Sequence, residues 1–206
     1  MLKKIGLFAA LAILSPAALF AQSQKSAIGG DASLWAGGEV SYFDPDYSCT
    51  GGYVWSCSQD MLGAGALVDF NLRSKWGAEG EARWLHWNGV GGQVESSYMA
   101  GPRYRLYRHN RFDFWARVLA GGGWITTPYY PAIDSLKGSY FAFAPGGSID
   151  YRVSHRLIVR ADYEYQFWPS FQGPPTYSPT GAPIQHNGGL TPNGVSLGIL
   201  YRFLGR

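Results

Sequence analysis

Charge is scarce in this chain, and lysine is scarcer still. Of 206 residues only 15% are charged, with 17 Lys plus Arg against 14 Asp plus Glu and a formal charge of +3. Lys3 and Lys4 sit in the first four residues, and without them the balance falls from +3 to +1. Phosphate backbones demand a concentrated basic face, so this balance excludes nucleic acid as a partner. Beyond the N-terminus no segment holds about 18 consecutive apolar residues, which excludes a transmembrane helix. Cysteine is limited to Cys49 and Cys57, and no histidine stands near them. Metal binding there lacks ligands, and an even pair this close in an exported chain reads as a disulfide pinching a polar, Gly-rich loop. A His-Glu-x-x-His zinc motif is absent, and so is a Gly-rich loop ending in Gly-Lys-Ser/Thr.

What is present is aromatic and glycine-rich. Aromatic residues make up 16% of the chain, and there are 28 glycines. That composition is foreign to a soluble helical domain and ordinary for a β-rich one. Met1-Leu-Lys-Lys4 is a basic start, Ile5–Leu14 an apolar run, and Ala17-Ala-Leu-Phe-Ala21 a small-residue stretch. Together they read as a secretory signal peptide cut after Ala21, leaving residues 22–206 as one domain.

Alternating segments recur through that domain. The pattern predicts strands at 32–43, 61–72, 76–88, 93–107, 111–123, 139–153, 156–168 and 194–204. Short basic links, such as Arg108-His-Asn-Arg111 and Ser154-His-Arg156, alternate with longer ones at 44–60, 124–138 and the Pro-rich 169–193. The link at 88–93 is shorter than the other three.

Each strand has two faces because side chains alternate with a period of two. Leu157, Val159, Ala161, Tyr163, Tyr165 and Phe167 share one face; Arg160, Asp162, Glu164 and Gln166 share the other. Summed over the strands, the polar faces carry acids Glu39, Asp69, Glu79, Glu81, Asp113, Asp150, Asp162 and Glu164. Their bases are Arg83, Arg103, Arg105, Arg117, Arg152, Arg160 and Arg202. Eight against seven is close to neutral, and every base is Arg, whose planar fork suits carboxylates. The lysines after the signal peptide, Lys25, Lys75 and Lys137, fall outside these strands. The charges therefore read as an ion-paired network filling a narrow lumen, with the apolar face toward lipid. A soluble lipocalin-like ligand carrier would show the same alternation turned inside out. The Arg bias and the aromatic excess favour the membrane version.

The last strand, Val195-Ser-Leu-Gly-Ile-Leu-Tyr-Arg-Phe203, adds a further sign. Its Ser196, Gly198, Tyr201 and Phe203 resemble the C-terminal insertion signal of bacterial outer-membrane β-barrel proteins, which the barrel-assembly machinery reads. Leu204-Gly-Arg206 follows, a departure from the usual terminal aromatic. With Gly101-Pro-Arg-Tyr-Arg105, Gly146-Gly-Ser-Ile-Asp-Tyr-Arg152 and Arg160-Ala-Asp-Tyr-Glu-Tyr165, the whole chain after the signal peptide resembles the small OmpA-like transmembrane barrels. The resemblance implies an all-β, eight-stranded antiparallel up-and-down transmembrane barrel in the outer membrane. Outer-membrane lipid and, during insertion, the assembly machinery are the implied partners. The periplasmic peptidoglycan-binding domain of the OmpA protein does not follow the barrel, so no cell-wall tether is expected.

Chemistry is sparse. Glu79 with Glu81 and Asp162 with Glu164 are paired carboxylates of a kind used in acid–base catalysis. Arg83 and Arg160 stand on the same strands and turn them into ion-pair partners. Gly121-Gly-Gly123 reads as a strand bend or close approach. The expectation is a non-enzymatic barrel without a cofactor, contributing to envelope structure or to surface interaction through its outer loops. A small-solute pore is the alternative within the same fold.

Overall fold

The computed structural model describes residues 32–46, 60–72, 75–87, 94–128, 135–171, 176–177, 183–184 and 189–205. The signal-peptide segment, Cys49 and Cys57 lie outside the described residues. The chain runs through β1 (Ser33–Asp44), β2 (Met61–Asn71), β3 (Trp76–Trp87), β4 (Val94–His109) and β5 (Phe112–Pro128). It continues through β6 (Ser135–Arg152), β7 (Leu157–Tyr165), the two-residue β8 (Thr176–Tyr177) and β9 (Pro183–Ile184), and β10 (Asn193–Leu204). Strands β8 and β9 pair only with each other. The other eight form a closed barrel in which sequence neighbours pair antiparallel and β1 meets β10. Closure leaves no unpaired sheet edge, the condition for crossing a bilayer with strands.

All eight expected strands form, with differences at their ends. The loop expected at 124–138 shrinks, because β5 and β6 stay in register out to Pro128↔Ser135. Alternation continues there, with Trp124 exposed and Ile125 buried. Lys137 therefore lies within β6, on its exposed side, and not outside the strands. Strand β7 ends at Tyr165, but the chain keeps pairing through isolated bridges, Phe143↔Phe167 and Trp168↔Leu190. The turn between β4 and β5 is as tight as its sequence demands, with Asn110 at φ 52°, a left-handed conformation Asn tolerates. Short turns and both barrel ends of the chain share one end of the barrel; the long connections share the other.

The faces decide which solvent the barrel is built for. Every charged residue of the polar faces from Glu39 to Glu164 that is fully buried points inward, and among the described residues 28 large apolar side chains are exposed. A soluble protein exposes no such continuous apolar surface. Val40, Val68, Val118, Val159, Leu197 and Ile199 are among the exposed aliphatics. Aromatic clusters stand toward each end. Trp76 with Tyr104 (4.7 Å) and Phe112 with Tyr151 (4.9 Å) lie at the short-turn end. Trp84, Tyr98 and Trp124 stack edge to face at 5.9 and 5.3 Å at the long-loop end. An apolar band between aromatic girdles is the outer surface of a transmembrane barrel, and the inside-out lipocalin arrangement is thereby excluded.

Candidate functional site

The lumen is where the unusual chemistry lies. Inward positions alternate along each strand, so each strand contributes several side chains to the same narrow space. Among the described residues, four arginines are fully enclosed there: Arg83, Arg103, Arg117 and Arg160. Each serves several carboxylates. Arg160 donates from Nε to Asp150 Oδ1 (2.6 Å), from Nη2 to Asp69 Oδ2 (2.6 Å) and from Nη1 to Glu79 Oε2 (3.2 Å). Arg103 donates to Asp69 and to Asp150 Oδ2 (3.1 Å). Arg117 donates to Glu79, to Asp162 Oδ1 (2.6 Å) and to Glu164 Oε2 (2.8 Å). Arg83 donates from Nε to Glu39 Oε1 (3.2 Å) and from Nη1 to Glu164 Oε1 (2.9 Å). The bonds join residues of β1, β2, β3, β4, β5, β6 and β7, so the network ties the barrel across its interior.

Apolar layers flank this network. Toward the long-loop end lie Phe43, Met61 and Leu85, and a second group with Met99, Leu119, Ile125 and Trp168. Toward the short-turn end lie Trp35, Leu67, Ile158 and Leu200. The layers and the charges touch: Arg83 sits 4.3 Å over the Phe43 ring and Arg103 4.0 Å over Trp115. Such stacking suits a weakly hydrated, delocalised cation. Trp168 is fully buried and covers Gly123, where an added Cβ would lie 2.1 Å from the indole. This is the close approach that the glycine run allows. Trp168 Nε1 donates to Gln166 Oε1 (2.7 Å), and Gln166 Nε2 donates to Glu164 Oε1 (2.8 Å), linking the apolar cover to the ion pairs.

Not every expected charge joins the enclosed network. Asp113 pairs instead with Arg108 and with Arg152 (3.6 Å) beside the short-turn end. Arg105 and Arg202 are half-buried, and their guanidinium groups lie over Trp115 and Trp35 at 5.6 and 5.3 Å. The reason for Arg108 is a β-bulge: the β4–β5 register shifts between Arg105 and Tyr107, so the face of the strand changes. One acid escaped the reading of the sequence. Glu95 is 1% exposed and shares the inward parity of Ser97 and Arg103. Strict period-two counting from Arg103 finds it.

In the last strand, Ser196 and Gly198 face inward and Tyr201 and Phe203 outward, their rings 5.4 Å apart. Gly194-Val-Ser-Leu-Gly198 also has the Gly-x-Ser-x-Gly spacing of a hydrolase nucleophile elbow, which requires a strand-to-helix turn. Here it lies within β10, and the buried Ser196 hydroxyl donates to Ser41 Oγ (2.8 Å). His86, His109 and His155 are all exposed, away from it. Phe171, in the connection after β7, packs on Tyr140 of β6 with ring centroids 5.0 Å apart.

No protein-family model matches the chain, and no curated protein matches it in sequence. Solved structures do match in shape. Neisserial surface protein A aligns with TM-score 0.58 and 8% identity, covering 84% of this chain and 98% of that one. A major outer membrane protein from Thermus thermophilus aligns with TM-score 0.55 and 9% identity, covering 84% and 99%. Ail, the attachment invasion locus protein of Yersinia pestis, aligns with TM-score 0.51 and 19% identity, covering 84% and 99%. At these identities the likeness speaks for the fold alone. The closed eight-stranded architecture, its apolar outer face and these structural likenesses together make the chain a small transmembrane β-barrel of the outer-membrane type.

Proposed function

We propose that the chain is a non-enzymatic resident of the bacterial outer membrane whose lumen is plugged by its ion pairs, and which works through the envelope or through its long outer loops. The observation that carries this reading is the enclosed Arg–carboxylate network between two apolar layers. A conducting pore needs a continuous polar path, and here the guanidinium groups are held crosswise by acids from opposite strands. The carboxylates of Glu39, Asp69, Glu79, Glu81, Asp150, Asp162 and Glu164 are engaged as ion-pair partners, which leaves them poor general acids or bases. Export through the N-terminal signal, insertion by the assembly machinery through the terminal strand and an oxidised Cys49–Cys57 pair belong to the same proposal.

Two measurements test it together. In planar bilayers the purified full-length protein should give no large, steady open channel; such channels would overturn the plugged lumen and favour the small-solute pore. On SDS gels the unheated protein should migrate as a compact barrel and shift on boiling. Identical migration, with recovery in the soluble periplasmic fraction, would overturn the membrane assignment.

A further inference from the structure

The enclosed network does not balance. It holds eight buried carboxylates, Glu95 included and Asp113 apart, against four buried guanidinium groups. Burial of uncompensated charge is costly, so something must answer the excess.

The excess is not spread evenly. Arg103 and Arg160 serve Asp69, Glu79 and Asp150. Arg83 and Arg117 serve Glu39, Glu81, Asp162 and Glu164, and Arg117 also reaches Glu79 of the first group. Four acids on two arginines leave this second group two negative charges in surplus. Within it, Glu39, Glu81 and Asp162 bring one carboxylate oxygen each to within 4.8 Å of one another, all three side chains buried. A second observation points the same way. Glu81 is 5% exposed, yet neither of its oxygens receives a hydrogen bond; Glu39 Oε2 and Asp162 Oδ2 receive none either. Arg83 lies 2.6 Å and Arg117 3.1 Å from Glu81, but without hydrogen-bond geometry. Three buried carboxylates gathered this closely, with oxygens that take no hydrogen bond and with two surplus charges in their group, have the character of a hard-cation site.

We infer that Glu39, Glu81 and Asp162 form a lumenal site for one divalent cation, calcium in preference to magnesium. Three oxygens no more than 4.8 Å apart leave a central point at most about 2.8 Å from each, within reach of a bound divalent cation, and a site enclosed by apolar layers disfavours magnesium, which gives up its waters reluctantly. The ion cancels the surplus of the Arg83–Arg117 group. The flanking apolar layers make its exchange slow, so it is taken up as the barrel folds. This rests on the closed-lumen reading but fails separately from it.

The full-length protein should be refolded from EDTA-treated denatured chain into detergent or lipid, with calcium, with magnesium, or with neither. After gel filtration, bound metal is counted by elemental mass spectrometry, and the midpoint of the heat-dependent gel shift is read on the same samples. About one calcium per chain is expected, with an upward midpoint shift that magnesium does not reproduce. Glu81→Gln should abolish the bound calcium and the shift. Glu95→Gln, outside the triad, should keep both, and it guards against a general folding defect. A non-conducting, heat-modifiable barrel that carries no calcium in any condition overturns the site and leaves the plugged lumen standing. Calcium retained by Glu81→Gln at the wild-type level also overturns it.

Discussion

Replacing Arg160 by Met tests whether the lumenal ion pairs hold the barrel together. Methionine keeps an unbranched, flexible stem that packs into irregular space, and it lacks the guanidinium. It removes one of the two guanidinium groups that reach Asp69, Glu79 and Asp150 at once. Arg103 still contacts all three acids, and Arg117 still reaches Glu79. Removing one partner from a buried pair costs about 3–5 kcal/mol. Because the orphaned acids keep a second arginine, the lower figure, about 3 kcal/mol, is expected. On the scaling for domains of this size, that lowers the melting midpoint by roughly 6–12 °C. The heat-dependent gel shift gives the midpoint, and urea unfolding in lipid vesicles gives the free energy. The double variant Asp150→Asn, Arg160→Met sharpens the test, since Asp150 takes two of the Arg160 hydrogen bonds. It should recover part of the loss. A single variant that melts like the wild type, or a double variant whose losses simply add, would refute the idea that these pairs bind the strands across the lumen.

Other outcomes follow from separate parts of the barrel. Gly123→Ala places a Cβ 2.1 Å from the Trp168 indole; it should destabilise by an amount comparable to Trp168→Ala, about 3–5 kcal/mol, and the double variant should cost less than the two together. Val118, 51% exposed midway along β5, faces lipid in this reading, so Val118→Arg should cost about 2–4 kcal/mol in bilayers; a neutral result would return the outer face to water. Intact mass with thiol labelling should find Cys49 and Cys57 oxidised in protein from native membranes, and two free thiols would refute the bridge.

The strands were legible because the sequence alternates, and alternation survives the membrane as well as it does water. Ile158, Leu119 and Leu200, apolar residues on otherwise charged faces, are buried within the lumen, so parity overrode residue type. What sequence could not supply was registration. Which arginine meets which acid depends on the shear of the closed barrel: Arg160 on β7 reaches Asp69 on β2, 91 residues away. The β-bulge near Leu106 was equally hidden, and it is what brings Arg108 to Asp113 while Arg105 lies over Trp115. Trp168 keeps the inward parity of Gln166 although β7 ends at Tyr165; the pairing onward to Leu190 was hidden, because it joins the strand's end to the Pro-rich connection. The near-neutral tally of faces likewise missed that the enclosed subset of charges is acidic.

That imbalance also accounts for the preference for arginine. A lysine offers three donors on one point, whereas a guanidinium offers five in a fixed fork. Arg160 uses its fork on three acids and Arg117 on four. With acids outnumbering bases, each cation must serve several anions arranged around its plane, and only a flat, multi-pronged donor fits between them. The aromatic rings then cover the guanidinium faces that carry no donors, Phe43 over Arg83 and Trp115 over Arg103. The edge of each cation goes to carboxylates and its face to the apolar layers. Charged and apolar tiers thus touch through these ring–guanidinium contacts.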